Sequence, residues 1–295
     1  MLTGVSHNKP MSEFLNIHWS QQALSIEAAW VGVADPAAPV MVFVHCGLGS
    51  VTMWSDFPHR LCTSLHMRGL VYSRPGFGRS SPLNPALTEL PPNFIHQHAH
   101  EVLPLVLEAA GIAAEQPLWL VGHNEGATMA LLHAAQYPKR MVGVVALAPR
   151  LMVEGITLRN LRMARLRYEQ SAAEQGNENL RKGGGLHARM ARGHDHPEAV
   201  FATWNQTWLS PALSHWSVER ELSSIACPVL ALQGLDDEYA TLEQIRGIAR
   251  RVPTARLSEL MNCGHEPHLD QPEAVLAATR KFVQLYGATT TAINP

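Results

Sequence analysis

One turn constrains this chain more than any other feature. Residues 118–132 read as a buried strand, Leu118-Trp-Leu-Val121, then a tight turn, Gly122-His-Asn-Glu-Gly126, then a helix starting near Glu125. Gly122 and Gly126 lie two residues either side of Asn124. A strand that reverses this sharply into a helix forces its central residue into a strained conformation. That residue's side chain then stands above the end of the sheet. Glycine is needed on both sides, because a Cβ there would clash with the opposite arm of the turn.

The rest of the chain alternates in the same way. Val40-Met-Val-Phe-Val44 is a continuous apolar run, as expected of a strand covered on both faces. Gly69-Leu-Val-Tyr-Ser73, Val142-Gly-Val-Val-Ala-Leu147, Pro228-Val-Leu-Ala-Leu232 and residues 255–260 extend the strand series. Helices are predicted over 52–68, over 93–110 with Gly111 as C-cap, from the turn to about Tyr137 with Pro138 closing it, and over 241–251 and 271–285. Two partly alternating strands, 15–20 and 28–33, open the chain around a polar Gln21-Gln22 turn. Strands and helices in this order predict an α/β fold with a mostly parallel sheet. The alternation stops between Leu151 and Leu222, where there are amphipathic helical stretches (157–170), a Gly183-Gly-Gly185 hinge, and Trp204, Trp208 and Trp216. We expect this segment to be an inserted helical cap, with residues 1–150 and 223–295 forming the core.

Bulk properties narrow the function classes. The net charge of −2 gives no reason to expect nucleic acid or an anionic membrane surface. Residues 1–12 are polar and lack the apolar centre of a secretory signal, and no apolar run approaches the roughly 20 residues of a membrane span. Cys46, Cys62, Cys227 and Cys263 are scattered without C-x-x-C spacing, so neither disulfides nor a structural zinc is expected. These features make a cytoplasmic protein the expectation, and nothing specifies an oligomeric state. His96 and His100 share a helix face beside His98, but with no third ligand they read as a half-solvated face rather than a metal site.

Three segments fall at the carboxyl ends of predicted strands, where open parallel sheets place their ligand crevice. They are the turn at Asn124, Gly234-Leu-Asp-Asp237 and Asn262-Cys-Gly-His265. A fourth, His45-Cys-Gly-Leu-Gly49, follows an earlier strand, and Arg74-Pro-Gly-Phe-Gly-Arg-Ser-Ser81 is a turn-rich loop. Together they give the order nucleophile position, acid, histidine. With these motifs the chain resembles the α/β-hydrolase fold superfamily from about Val40 to Leu285, with a helical cap and with asparagine where the turn usually carries a nucleophilic serine.

The resemblance implies a role for each matching position. His265 becomes the general base, and Asp237 the carboxylate that orients it, with Asp236 and then Glu238 as alternatives. The backbone N–H groups of Gly47 and Glu125 become the oxyanion hole. His45, Cys46, His123, Trp204 and Trp208 are candidates to line a small-molecule pocket, and Arg74 and Arg79 lie near enough to meet an acidic substrate. No metal or organic cofactor is implied. The expected activity is hydrolysis of a small ester, amide or related carbonyl compound.

Asn124 sets a chemical difficulty, because a primary amide is a poor nucleophile and a histidine cannot activate it as it activates serine. Four explanations are open: a natural or engineered Ser→Asn replacement in a serine hydrolase; a non-covalent route in which His265 activates water or moves a substrate proton; deamidation to an aspartate nucleophile; and a catalytically silent protein that binds a ligand in the same pocket.

Overall fold

The apolar run at 40–44 lies at the centre of an eight-stranded sheet in the computed structural model, which describes residues 12–84, 86–173 and 185–290. The strands are β1 (Glu13–Trp19), β2 (Gln22–Gly32), β3 (Val40–Val44), β4 (Arg68–Tyr72), β5 (Leu118–His123), β6 (Met141–Leu147), β7 (Val229–Gly234) and β8 (Ala255–Leu260). Their spatial order is β1-β2-β4-β3-β5-β6-β7-β8. β1 and β2 form an antiparallel hairpin, and β2 runs antiparallel to β4. Every pairing from β4 to β8 is parallel. All residues of β3, β5 and β7 are buried, which explains why these strands read as unbroken apolar runs rather than alternating ones.

The helices are α1 (Phe57–Leu65), α2 (Phe94–Gln97), α3 (Leu103–Ala109), α4 (Glu125–Gln136), α5 (Gly155–Ala173), α6 (Leu186–Gly193), α7 (Pro197–Leu209), α8 (Glu243–Arg251), α9 (Pro267–Asp270) and α10 (Pro272–Thr290). Two apolar clusters form on the opposite faces of the sheet. One packs Val42, Val44 and Leu120 with α3 and α4; the other packs Met41, Phe43 and Val121 with α1 and α10. The alternating residues of β3 and β5 thus serve the two cores in turn.

Several predicted elements differ in detail. The helix expected over 52–68 is a 3₁₀ turn (Val51–Trp54) followed by α1, which ends where His66 turns left-handed at φ 55°. The helix expected over 93–110 contains a π-helical turn at His98–Val102, immediately before Pro104, whose missing N–H interrupts the regular ladder. The turn expected at Gln21-Gln22 lies one residue earlier, a two-residue hairpin connection of Ser20 and Gln21 at φ 48° and 63°. Between β6 and β7 the chain forms α5, α6 and α7, followed by short 3₁₀ turns. Of the expected hinge only Gly185 is described; Gly183 and Gly184 lie outside the described residues.

Candidate active site

At the end of β5 the chain turns at Asn124, whose backbone adopts φ 52° and ψ −113°. This is the strained geometry expected of the turn. A Cβ at Gly122 would overlap the Gly126 carbonyl, and one at Gly126 would overlap the carbonyl of Val44. The turn therefore needs both glycines. The Asn124 amide N–H donates to the Leu147 carbonyl at 2.9 Å, and the Asn124 carbonyl accepts from the Thr128 N–H at 3.1 Å, so the position is braced from β6 and from α4. Asn124 lines a cavity of about 390 Å³.

His265 and Asp237 meet at that cavity although 28 residues separate them. His265 Nδ1 lies 2.8 Å from Asp237 Oδ1, and His265 lines the cavity beside Asn124. The Asp237 carboxylate also accepts from the Tyr239 N–H at 2.9 Å and the Gln233 side-chain amide at 3.0 Å. Burial alone would raise the Asp237 pKa. The adjoining His265 and these hydrogen bonds outweigh it and hold the carboxyl below its ordinary range. Asp236 and Glu238, the alternatives from sequence, are both exposed, and neither is hydrogen-bonded to His265 among the described residues. No hydrogen bond joins the Asn124 amide to His265 among these residues either.

His123 lines the cavity and holds the histidine loop in place, since its Nε2 lies 2.7 Å from the His265 carbonyl. Burial keeps His123 below its ordinary pKa, so it is a neutral imidazole that donates from Nε2. Its ring packs against His268 at 4.9 Å and His265 at 5.3 Å.

Glu125 follows the centre of the turn, and Gly47 packs beside its side chain. As the first residue of α4, Glu125 has no intrahelical acceptor for its N–H. A Cβ at Gly47 would overlap the Trp204 indole and the Glu125 carboxylate, so only glycine fits there. The sequence did not foretell what the Glu125 side chain does. It is fully buried, paired to Arg74 at 2.9 Å, and accepts a hydrogen bond from the Trp208 indole N–H.

Two predicted pocket residues therefore sit elsewhere. Trp208 lines a second cavity of about 270 Å³ beside the first. His45 lines neither cavity, because its Nε2 accepts from the Arg74 N–H at 2.9 Å and its Nδ1 donates to the Cys46 carbonyl at 2.7 Å. Burial, with Arg74 nearby, keeps it well below its ordinary pKa, and it serves as a neutral brace. Arg74 is held by Glu125 and the Cys46 carbonyl and does not face the cavity. Cys46 and Trp204 do line it. Burial pushes the Cys46 thiol upward, away from the thiolate form.

The cavity also gathers residues that carry no motif: Arg150, Arg189, Tyr239 and Glu266. Arg189 and Glu266 pair at 2.7 Å. His98 is buried against Trp19, while His96 and His100 contact each other ring to ring. Among the described residues no group of three or more His, Cys, Asp or Glu could hold a metal, and no helix is long and apolar enough to cross a membrane.

Known proteins share this fold. The chain is 26% identical over 280 residues to the rhodomycin D methylesterase of Streptomyces peucetius, covering 84% of this chain and 91% of that protein. Among solved structures, a thermophilic esterase from Thermogutta terrifontis superposes with a TM-score of 0.68 at 20% identity, covering 94% of this chain and 99% of the other. An enol-lactonase from Burkholderia xenovorans gives 0.65 at 19% identity, covering 88% and 97%. A family model described as the alpha/beta hydrolase family matches residues 41–278, most of the sheet and the described helices between β6 and β7, and the chain belongs to that family.

Proposed function

We propose that the cavity above β5, β7 and β8 is an ester-hydrolysing site in which Asp237 orients His265, the Gly47 and Glu125 N–H groups form the oxyanion hole, and Asn124 occupies the nucleophile position. The observation that carries this reading is the 2.8 Å contact between His265 Nδ1 and Asp237 Oδ1. It fixes the imidazole so that Nε2 is the nitrogen left for chemistry. Similarity to a methylesterase favours an ester over an amide. Residues 151–222 act as the cap, from which Trp204, Arg167, Arg189 and Arg192 line the cavity.

With asparagine at 124 the acyl-enzyme route is closed, because the amide has no proton that His265 can usefully remove. The route left to the chain passes through water. His265 Nε2 takes a proton from a water molecule as its oxygen attacks the ester carbonyl, and the oxyanion gathers at the two N–H groups. The tetrahedral intermediate then expels the alcohol, which leaves with the proton held by His265, and the acid remains. Deamidation is disfavoured, because the following residue, Glu125, is already locked in the first turn of α4.

Removing a triad nucleophile costs on the order of 10⁶ in turnover, and what survives comes from binding and the oxyanion hole. We therefore expect Asn124→Ser to raise kcat/KM on p-nitrophenyl esters by at least about 10³, with His265→Ala abolishing the gain. An Asn124→Ser protein as inert as the parent overturns the reading. The second reading, a silent ligand-binding protein, is favoured by the Asn124 amide itself. It prevails if the parent shows no turnover that depends on His265.

A further inference from the structure

Arg150 stands just past the end of β6, and its backbone is fixed to the helix that carries Asn124. Its carbonyl accepts from the Thr128 hydroxyl at 2.6 Å, and the same hydroxyl contacts the Asn124 carbonyl at 3.2 Å. The residue is 3% exposed, and its guanidinium lies over the Trp208 ring at 4.3 Å. Nη1 has no hydrogen-bond partner among the described residues, and no acidic side chain there forms an ion pair with Arg150. Glu125, the nearest candidate, is already taken by Arg74 and Trp208. A buried cation without its own counter-ion is costly, and buried guanidinium N–H groups are rarely left unpaired. Arg150 nevertheless lines the same cavity as Asn124 and His265.

The surrounding charge has the same sign. Arg150, Arg167, Arg189 and Arg192 line the cavity against Glu238 and Glu266, an excess of two positive charges on a chain whose net charge is −2. Arg189 is neutralised by Glu266, whereas the exposed Arg167 and Arg192 have no acidic partner among the described residues. An anion would be drawn in by the outer pair and held by the inner guanidinium, whose fork suits a carboxylate.

We propose that Arg150 sets specificity by binding an ionised carboxylate on the substrate, so that the site takes a monoester of a dicarboxylic acid in preference to a neutral ester. This rests on the ester-hydrolysing reading of the cavity. The rigid attachment of Arg150 to α4 keeps that carboxylate at a fixed offset from the scissile carbonyl above Asn124.

The test is calorimetric binding to the parent Asn124 protein of monomethyl glutarate and its neutral counterpart dimethyl glutarate. The acid should bind roughly ten- to a hundredfold more tightly, the range expected of charge-assisted hydrogen bonds. Arg150→Gln should bring its affinity down to that of the diester, while Arg150→Lys, which keeps the charge, should retain part of the preference. Melting temperatures verify that each variant folds. If Arg150→Gln fails to fold, the Arg150→Lys result and competition by glutarate decide the matter. Equal affinities, no binding of either ester, or a preference that survives in Arg150→Gln overturns the proposal. So does inorganic phosphate displacing the monoester better than glutarate does, which would mark a phosphate site. Binding needs no turnover, so the two readings fail separately. A charge preference beside an inert Asn124→Ser variant leaves the carboxylate site and removes the hydrolase; an active Asn124→Ser variant with no charge preference does the reverse.

Discussion

Glu125 combines a proposed role for its backbone in the site with a structural role for its side chain in the fold. Its N–H is the one proposed for the oxyanion hole, while its carboxylate is buried between Arg74 and Trp208 with about 1% exposure. Breaking one partner of a buried ion pair leaves the other as an uncompensated charge. Glu125→Ala should therefore cost about 3–5 kcal/mol in urea unfolding, far more than a surface acid such as Glu243 would. A loss below about 1 kcal/mol, the worth of an exposed pair, would show that Arg74 finds another partner. Sequence suggested the proposed backbone role, because the position follows the centre of the turn. It did not signal the ion pair, whose partners Arg74 and Trp208 lie 51 and 83 residues away.

At the scale of elements, α4 carries the turn, and it is pinned at its far end by His133. The ring is fully buried, with Nδ1 donating to the Ala99 carbonyl of the π-helical turn at 2.9 Å. Burial depresses the His133 pKa to about 4. The sign follows from linkage. Between about pH 6.5 and about pH 4 the unfolded chain takes up a proton that the folded one refuses, so stability is full above that window and falls as the pH drops through it. His133→Gln, which keeps a donor for Ala99, should flatten this pH dependence by on the order of 3 kcal/mol, since each tenfold change in proton affinity is worth about 1.4 kcal/mol. Unfolding midpoints of the two proteins across pH 4–7 check this; parallel curves would refute it. The strand runs and the helix caps were legible in sequence, since apolar periodicity and Gly111 or Pro138 act locally. The π-helical turn was not, because Pro104 reads only as a mild irregularity in an otherwise helical pattern.

Across the whole molecule, α5–α7 line two neighbouring cavities, of about 390 and 270 Å³, and Trp204 lines both. Trp204→Ala in an Asn124→Ser background should join them and move the preferred p-nitrophenyl ester from short toward longer acyl chains, while costing about 3–5 kcal/mol of stability. A chain-length profile from acetate to octanoate that stays unchanged would show that the second cavity is not reached from the first. Sequence by itself determined the strand-and-helix alternation, the glycine-flanked turn and the order of Asn124, Asp237 and His265, because each rests on local periodicity or on backbone geometry that a few residues dictate. Only the tertiary structure decided which carboxylate meets His265. Asp236 and Asp237 are adjacent, and the direction of the β7 turn buries one and exposes the other. It also decided that His45 braces a loop instead of lining the pocket, and that Arg150 stands without a counter-ion beside Asn124. Those facts depend on side chains brought together across long stretches of chain, and packing alone supplies that convergence.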